Sequence, residues 1–469
     1  MHKNTKKNDT TNEQTLFCLS SVQGKAVEAS FTAPDLSTMG GLVLMNEHEK
    51  QNGFLQSLTD CITDNRSQFL VQHPYYEMIR QRVFQIAAGY EDADDCDLLR
   101  DDSLLKICSG RLPDSKPLSS QPTVSRLENK LTDRELYKIG ECFIAQFIQS
   151  YEKEPEVIIL DCDDSNFNAY GAQQGILFND YYGEYCYMPL FIFEGISGKM
   201  ILPLLRPGRR NKSTNIYKIL RRLISRLRKV WKHTQFVVRG DSHFCCHELM
   251  DWNEEQFIES QNFMKWADNN EVWFITGLTG NKALSNRTKD WVVMAQDQFK
   301  KHGEPIRFFK TFSYKAASWK YAQRVIVKIE VTSMGTNIRY VVTNFRNNNS
   351  RFLYQELYCG RGQMELYIKE LKNYLDADRT SCNAFEANQF RLFLHAAAYV
   401  ILLEIKQKTF KGSELEKVSI LTLREKVLLA PVHIRQMKSK IKIEFSDKHP
   451  YKQLLSNAFE LFARWRAAA

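Results

Sequence analysis

Two short apolar runs, each closed by aspartates, constrain this chain more than any other feature. Val157-Ile-Ile-Leu160 runs straight into Asp161-Cys-Asp163-Asp164-Ser165, and Thr234-Gln-Phe-Val-Val-Arg-Gly240 runs into Asp241-Ser242-His243-Phe244. Apolar runs of this length without polar alternation predict strands buried on both faces. Such strands need helices above and below them, so an α/β architecture follows.

The neighbouring segments fit that architecture. Tyr185 to Glu194 and Lys199 to Leu205 read as strands joined by the turn Gly195-Ile-Ser-Gly198. Ser213 to Lys232 and Glu254 to Asn269 carry helical spacing, and Val272 to Thr276 is a fifth strand. Three strands, helix, strand, helix, strand is the order of a ribonuclease-H-like core. Around it, residues 1–25 are expected to be disordered and 26–150 mainly helical. The helical region includes a capping signal at Leu131-Thr-Asp133-Arg-Glu-Leu. The core is expected in two parts, 151–282 and 346–407, separated by a β-rich insertion at 283–345. Residues 408–469 read as a C-terminal extension.

Composition excludes several classes. The 469 residues are 43% hydrophobic and 25% charged, as in soluble globular proteins. Met1 to Glu13 is polar, so it is no signal peptide. The longest apolar run, Leu392 to Ile405, contains His395 and Glu404 and is too short to span a bilayer, so no membrane partner is expected. The 11 cysteines contain no C-x-x-C pair and predict reduced, mostly buried thiols in a cytoplasmic protein. The acidic run Glu91 to Asp97 lacks the glycine and terminal glutamate of a calcium loop. A net charge of +9 favours a polyanionic partner.

The chemistry centres on carboxylates. Asp161 and Asp163 lie two apart on one face of a strand, and Asp241 closes another strand. Downstream, Tyr358-Cys-Gly-Arg361-Gly-Gln-Met-Glu365-Leu-Tyr-Ile-Lys-Glu-Leu-Lys372 predicts a helix. At about 100° per residue, Tyr358, Arg361, Glu365 and Lys372 fall within an arc of roughly 60°. The simple alternative is a solvated face with an Arg361–Glu365 pair. Brought together, Asp163, Asp241 and Glu365, with Asp161 as a further candidate, form a hard-oxygen site for two Mg²⁺ ions, with Mn²⁺ as a substitute. Two such ions clamp the attacking and leaving oxygens of phosphoryl transfer.

These motifs resemble those of the DDE transposases of bacterial insertion sequences. Tyr358-x2-Arg361-x3-Glu365-x6-Lys372 matches the Tyr-Arg-Glu-Lys signature of the insertion-sequence-four-like superfamily. The two aspartate motifs are similar to its first and second, and the hydroxyl of Ser165 two residues after Asp163 favours Asp163 over Asp161 as first ligand. Ala88-Gly-Tyr-Glu-Asp92, Gln121-Pro-Thr-Val-Ser-Arg126, Gly171-Ala-Gln173, Tyr181-Tyr-Gly-Glu-Tyr185, Arg379-Thr-Ser-Cys-Asn383 and Ala387-Asn-Gln-Phe-Arg391 resemble segments of the insertion-sequence thirteen-eighty family. The resemblance implies a ribonuclease-H-like core and metal-dependent cutting and joining at terminal inverted repeats. Its implied partners are double-stranded DNA, both the element ends and a target, and a second copy when assembled on DNA. It also implies that Tyr358, Arg361 and Lys372 hold terminal phosphates. A structure-selective nuclease on the same core, or an inactive domesticated relative, are the alternatives.

Lys199 to Lys232 holds 12 Lys/Arg and no Asp or Glu. Arg206, Arg209, Arg210, Arg221, Arg222 and Arg226 are therefore candidate phosphate contacts. His243 is a candidate contact to phosphate or to the carboxylate site. Trp291 and Trp319 read as core residues or as stacking platforms for a displaced base.

Overall fold

The computed structural model describes residues 16–169, 171–208, 216–245, 267, 270–317, 319 and 322–468. An eight-stranded mixed sheet lies at its centre. Its strands are β1 Val157–Asp164, β2 Leu190–Glu194, β3 Met200–Leu204, β4 Gln235–Gly240, β5 Val272–Leu278, β6 Ile306–Tyr314, β7 Gln323–Thr332 and β8 Gly335–Thr343. Across the sheet the order is β6-β7-β8-β5-β4-β1-β2-β3. The central pairs β1/β4 and β4/β5 are parallel, and all other pairs are antiparallel. Four of the strands expected of the core are present, and the one expected from Tyr185 to Glu194 is split: Leu190–Glu194 joins this sheet, whereas Glu184–Tyr187 pairs in a separate three-stranded sheet.

Alternation of side chains assigns each face. Leu160, Cys162, Leu190, Ile192, Phe236 and Val238 share a core with Leu220, Leu223, Ile224 and Leu227 of the helix Ile216–Arg228. On the opposite face Phe193 packs against Tyr367 and Tyr399, and Ile275, Ile326 and Val341 pack against Leu353 and Tyr354. Asp161 and Asp163 alternate with Leu160 and Cys162, so they belong to this second face.

Three expectations need correction. Residues 17–29, expected to be disordered up to 25 and to open the helical region from 26, form a hairpin of Phe17–Val22 with Lys25–Ala29. The region 283–345 is not β-rich throughout, because a helix spans Lys282–His302, capped by the Asn281 side chain and ended by Gly303 at φ 70°. Its buried Leu284, Thr288 and Ala295 recur at helical spacing. The three strands that follow do not form a separate unit, since β8 pairs with β5 and continues the main sheet. The expected helix from Glu254 to Asn269 lies almost wholly outside the described residues.

The N-terminal helices and the C-terminal extension share one core. The helix Phe385–Thr409 is buried along nearly its whole length, which matches its apolar sequence. Phe84 and Leu55 from the N-terminal helices, and Val427 and Phe462 from the C-terminal segment, join it in a single cluster. Leu36–Ser37 pairs with the strand Val432–Gln436, so segments from the N-terminal region and the C-terminal extension meet in one small sheet. The capping signal is realised in full: Thr132 and Glu135 form a reciprocal box at the start of the helix Asp133–Gln149.

One buried pair joins these parts and makes a pH prediction. His48 Nε2 lies 3.0 Å from Glu404 Oε2, and Gln146 Nε2 donates to Glu404 Oε1 at 2.6 Å. Burial opposes the charge of Glu404, yet the contacts with His48, the nearby Lys408 and the Gln146 hydrogen bond hold its carboxyl at about 2, below the ordinary 4.5. A depressed carboxylate stabilises the fold above its unfolded value and loses that contribution as pH falls through its folded value. The shift corresponds to about 3 kcal/mol, lost between about pH 4.5 and pH 2. Glu404→Gln should lower the midpoint of urea unfolding at pH 7 and flatten its pH dependence in that window. An unchanged acid profile would remove Glu404 from the account.

Candidate active site

Strand register brings two of the aspartates together. In the parallel pair β1/β4, Arg239 lies opposite Asp161 and Gly240 opposite Cys162, an offset of 239 − 161 = 78 residues. Asp241 follows Asp163 by the same 78 residues, so both carboxylates leave the sheet side by side at its C-terminal edge. Asp163 Oδ1 accepts from the Asp164 amide at 2.9 Å. Asp241 Oδ1 accepts from the His243 amide at 2.7 Å, and its Oδ2 lies 2.8 Å from His243 Nδ1. A cleft of about 390 Å³ opens here, lined by Asp163, Asp241, His243, Tyr181 and Tyr182.

The two carboxyls are electrostatically unequal. Burial, and after it the negative charge of Asp241, push Asp163 up to about 7, against the pull of Arg361. Burial also opposes the charge of Asp241, but the hydrogen bonds and charge of His243 hold it below the ordinary carboxylate range. Paired oxygens that resist joint ionisation are stabilised by a cation between them, and this donor set fits a hard divalent ion.

Asp161 has a different role. It is fully buried, and Arg239 donates to it twice, Nε to Oδ1 at 2.5 Å and Nη2 to Oδ2 at 2.6 Å. Asp161 is therefore committed to an ion pair, which corrects its candidacy as a metal ligand. Arg239 Nη1 also donates to Leu357 O at 2.7 Å, tying β1 and β4 to the helical segment that carries the signature. Gly195 admits this pair, since a Cβ there would lie 2.5 Å from Arg239 Nη2 and 2.6 Å from Asp161 Oδ2. Arg239 was missed from sequence although a signal existed: it precedes Asp241 by two residues, as Asp161 precedes Asp163.

The signature segment, residues 350–374, is helical throughout but unevenly wound. Leu353–Tyr358 and Glu370–Tyr374 are π turns, Cys359–Arg361 is a 3-10 turn, and only Gly362–Lys369 is a sustained α-helix. A constant 100° per residue therefore does not describe it. Arg361 Nη1 lies 3.1 Å from Asp163 Oδ2, and Lys372 Nζ donates to Asn166 O at 2.6 Å. The Tyr358 hydroxyl stands where a Cβ on Gly277 would meet it at 2.9 Å, beside the backbone of Asp241 and Ser242. Burial pushes that hydroxyl up, so it stays protonated as a donor. Glu365 is exposed, and it joins the site only as one of the charges acting on Arg361. Among the described residues no three His, Cys, Asp or Glu side chains are grouped closely enough to hold a metal.

The basic stretch is less one-sided in space than in sequence. Arg206 pairs with Asp164 and donates to Met188 O, so it is not a free phosphate contact. Arg222 and Arg226 reach Glu141 of the helix Asp133–Gln149 at 3.8 and 3.7 Å, and Arg222 also lies over the Tyr137 ring. Arg221 lies on the same helix, half-buried. Arg209 and Arg210 lie outside the described residues. Trp319 is buried against Tyr314 and Trp291 packs on Phe312, as core residues do.

The family model for the transposase DDE domain, group 1, matches residues 19–467. The chain belongs to this transposase family. No curated protein matches the transposase chain. Among solved structures, its chain is similar to a piggyBac transposase in a synaptic complex with hairpin DNA, at 13% identity and a TM-score of 0.40, covering 85% of this chain and 82% of that one. Among the described residues of the transposase, no helix is long and apolar enough to cross a membrane.

Proposed function

We propose that this DDE transposase cuts and joins DNA at the terminal inverted repeats of an insertion sequence, using Asp163, Asp241 and Glu365 as its acidic triad. The observation that carries the reading is the in-register delivery of Asp163 and Asp241 to one sheet edge, with Arg361 on Asp163, inside a family match spanning nearly the whole chain. The strand order β3-β2-β1-β4-β5, with β2 antiparallel to β1, supports a ribonuclease-H-like core. Asp163 and Asp241 would hold Mg²⁺ or Mn²⁺, with Glu365 completing the set. When bound, such ions would supply charge neutralisation at the phosphoryl group and a more acidic attacking hydroxyl. Arg361 and Lys372 would hold strand phosphates in line, and Tyr358 would donate to a phosphate oxygen. His243 orients Asp241. The finer assignment to the insertion-sequence thirteen-eighty family, a homodimer on DNA and a cytoplasmic site of action belong to the same proposal.

The direct test uses purified protein, Mg²⁺ and the DNA flanking the reading frame. Strand cleavage at inverted repeats is expected, with Glu365→Gln abolishing it while end binding persists. Arg361→Ala should weaken capture of the cut end without lowering thermal stability by much. If Arg361→Ala changed only stability, its contact with Asp163 would be a structural ion pair and nothing more.

The basic helix makes a second prediction. Reversing Arg222 and Arg226 to Glu should weaken binding to all DNA and reduce the slope of log affinity against log salt by about 2, since each phosphate contact contributes about 0.9. Glu141→Gln, which releases both arginines, should tighten binding. Equal affinity across all three proteins at every salt concentration would mean that the face is only solvated.

A further inference from the structure

Two cysteines from distant parts of the chain meet in the helical body. Cys61 closes the helix Phe54–Asp60, and Cys142 lies on the helix Asp133–Gln149. Their Sγ atoms are 3.4 Å apart. Both also lie beside one carbonyl oxygen, Ser57 O, at 3.4 Å from Cys61 and 3.5 Å from Cys142. Other bonds fix the surrounding backbone. The Thr63 amide donates to Glu135 Oε1 at 2.8 Å, and Lys130 Nζ donates to Thr63 O at 2.7 Å. The sulfurs of a disulfide are about 2.0 Å apart, so the pair has roughly 1.4 Å to close, a scale that side-chain rotation covers.

The two thiols are unequal in the way an exchange reaction needs. Cys142 is half-buried, whereas Cys61 is only 9% exposed. The contact with Cys61 holds the Cys142 thiol below its ordinary range, against the effect of burial. The same contact, and after it burial, push the Cys61 thiol up. The thiolate is the attacking species, so Cys142 reacts first and Cys61 resolves. We propose that Cys61 and Cys142 form a redox-sensitive dithiol site, which a low-molecular-weight disulfide converts to an intramolecular disulfide that locks the helix Phe54–Asp60 to the helix Asp133–Gln149. In the first step the Cys142 thiolate attacks one sulfur of the reagent, whose S–S bond breaks and releases one half as a thiolate. In the second, Cys61 gives up its proton and attacks Cys142 Sγ, expelling the other half. The protein loses two electrons and two protons, and the reagent takes up both as two thiols. The new bond closes a loop of 142 − 61 = 81 residues and so restricts the unfolded chain. It lies one residue from Glu141, the partner of Arg222 and Arg226, on the helix that restrains the basic face. The inference does not depend on the transposase reading.

The test treats the reduced, folded full chain with glutathione disulfide, blocks the remaining thiols with N-ethylmaleimide and maps the unreduced peptides by mass spectrometry. The expected product is a linked pair of peptides carrying Cys61 and Cys142, which dithiothreitol separates again without unfolding the protein. The oxidised protein should melt several degrees above the reduced one. Cys61→Ser should stop at a glutathione adduct on Cys142, and Cys142→Ser should leave Cys61 unmodified, with thermal melts to check that both fold. The wild-type measurement stands whether or not the variants fold. The proposal is overturned by the lack of a linked pair in folded wild type, by linkage only in urea, or by an unchanged melting midpoint. A bond that dithiothreitol cannot reduce in the folded protein, or a folded Cys61→Ser variant whose Cys142 takes up no glutathione, overturns it as well.

Discussion

Asp163→Asn and Asp241→Asn should each abolish metal-dependent strand cleavage, by about a thousandfold or more, equivalent to at least about 4 kcal/mol of transition-state stabilisation. DNA binding should persist and even tighten, because each change removes a negative charge beside the phosphate path. Thermal stability should hold for Asp163→Asn, since burial and the charge of Asp241 already push Asp163 up to about 7, and should fall modestly for Asp241→Asn, since His243 holds that carboxyl below the ordinary range. That combination separates a chemical role from a structural one. Gel assays of nicking and joining, binding titrations and thermal melts on the same preparations decide it. A variant that still cuts at near wild-type rate would remove its aspartate from the site, and one that cuts nothing because it is unfolded would show it in the melt.

Arg239→Met should produce the largest loss of stability of any single change in the sheet, about 3–5 kcal/mol, because it leaves the Asp161 charge buried and unpaired. Burial already pushes the Asp161 carboxyl up against the pull of Arg239, so the loss of the two Arg239 hydrogen bonds leaves its charge poorly compensated. The same substitution removes the hydrogen bond to Leu357 O, the link between the sheet and the signature helix. Cleavage should therefore fall even at temperatures where the variant is folded. Combining Arg239→Met with Asp161→Leu should recover much of the stability, since an apolar pair avoids the desolvation of two charges, but not the cleavage. Denaturant midpoints and nicking rates across the single and double variants test both parts. Recovery of both together would mean that the Leu357 contact does not position the helix.

The sequence alone determined the strands and where they end. Apolar runs resist exposure, so the strands around Val157 to Leu160 and Phe236 to Val238 had to be central, and the aspartates Asp163 and Asp241 that follow them come at the sheet edge. The capping box at Thr132 and the buried helix around Leu392 to Ile405 were legible for the same local reasons. The hairpin at 17–29 and the helix Lys282–His302 were not, because their apolar patterns are weak and partners distant in sequence shape their surroundings. Charge pairing was decided only in three dimensions. The stretch from Lys199 to Lys232 contains no acid, yet Asp164 and Glu141 reach it from other elements. Likewise, spacing two apart made Asp161 and Asp163 equivalent, and only the parallel register, which sets Arg239 opposite Asp161 and lets Asp241 emerge level with Asp163, made one an anchor and the other an edge carboxylate. Local sequence dictates which backbone forms. Which charge faces which depends on register and crossing between segments separated by tens to hundreds of residues, and that the tertiary structure alone supplies.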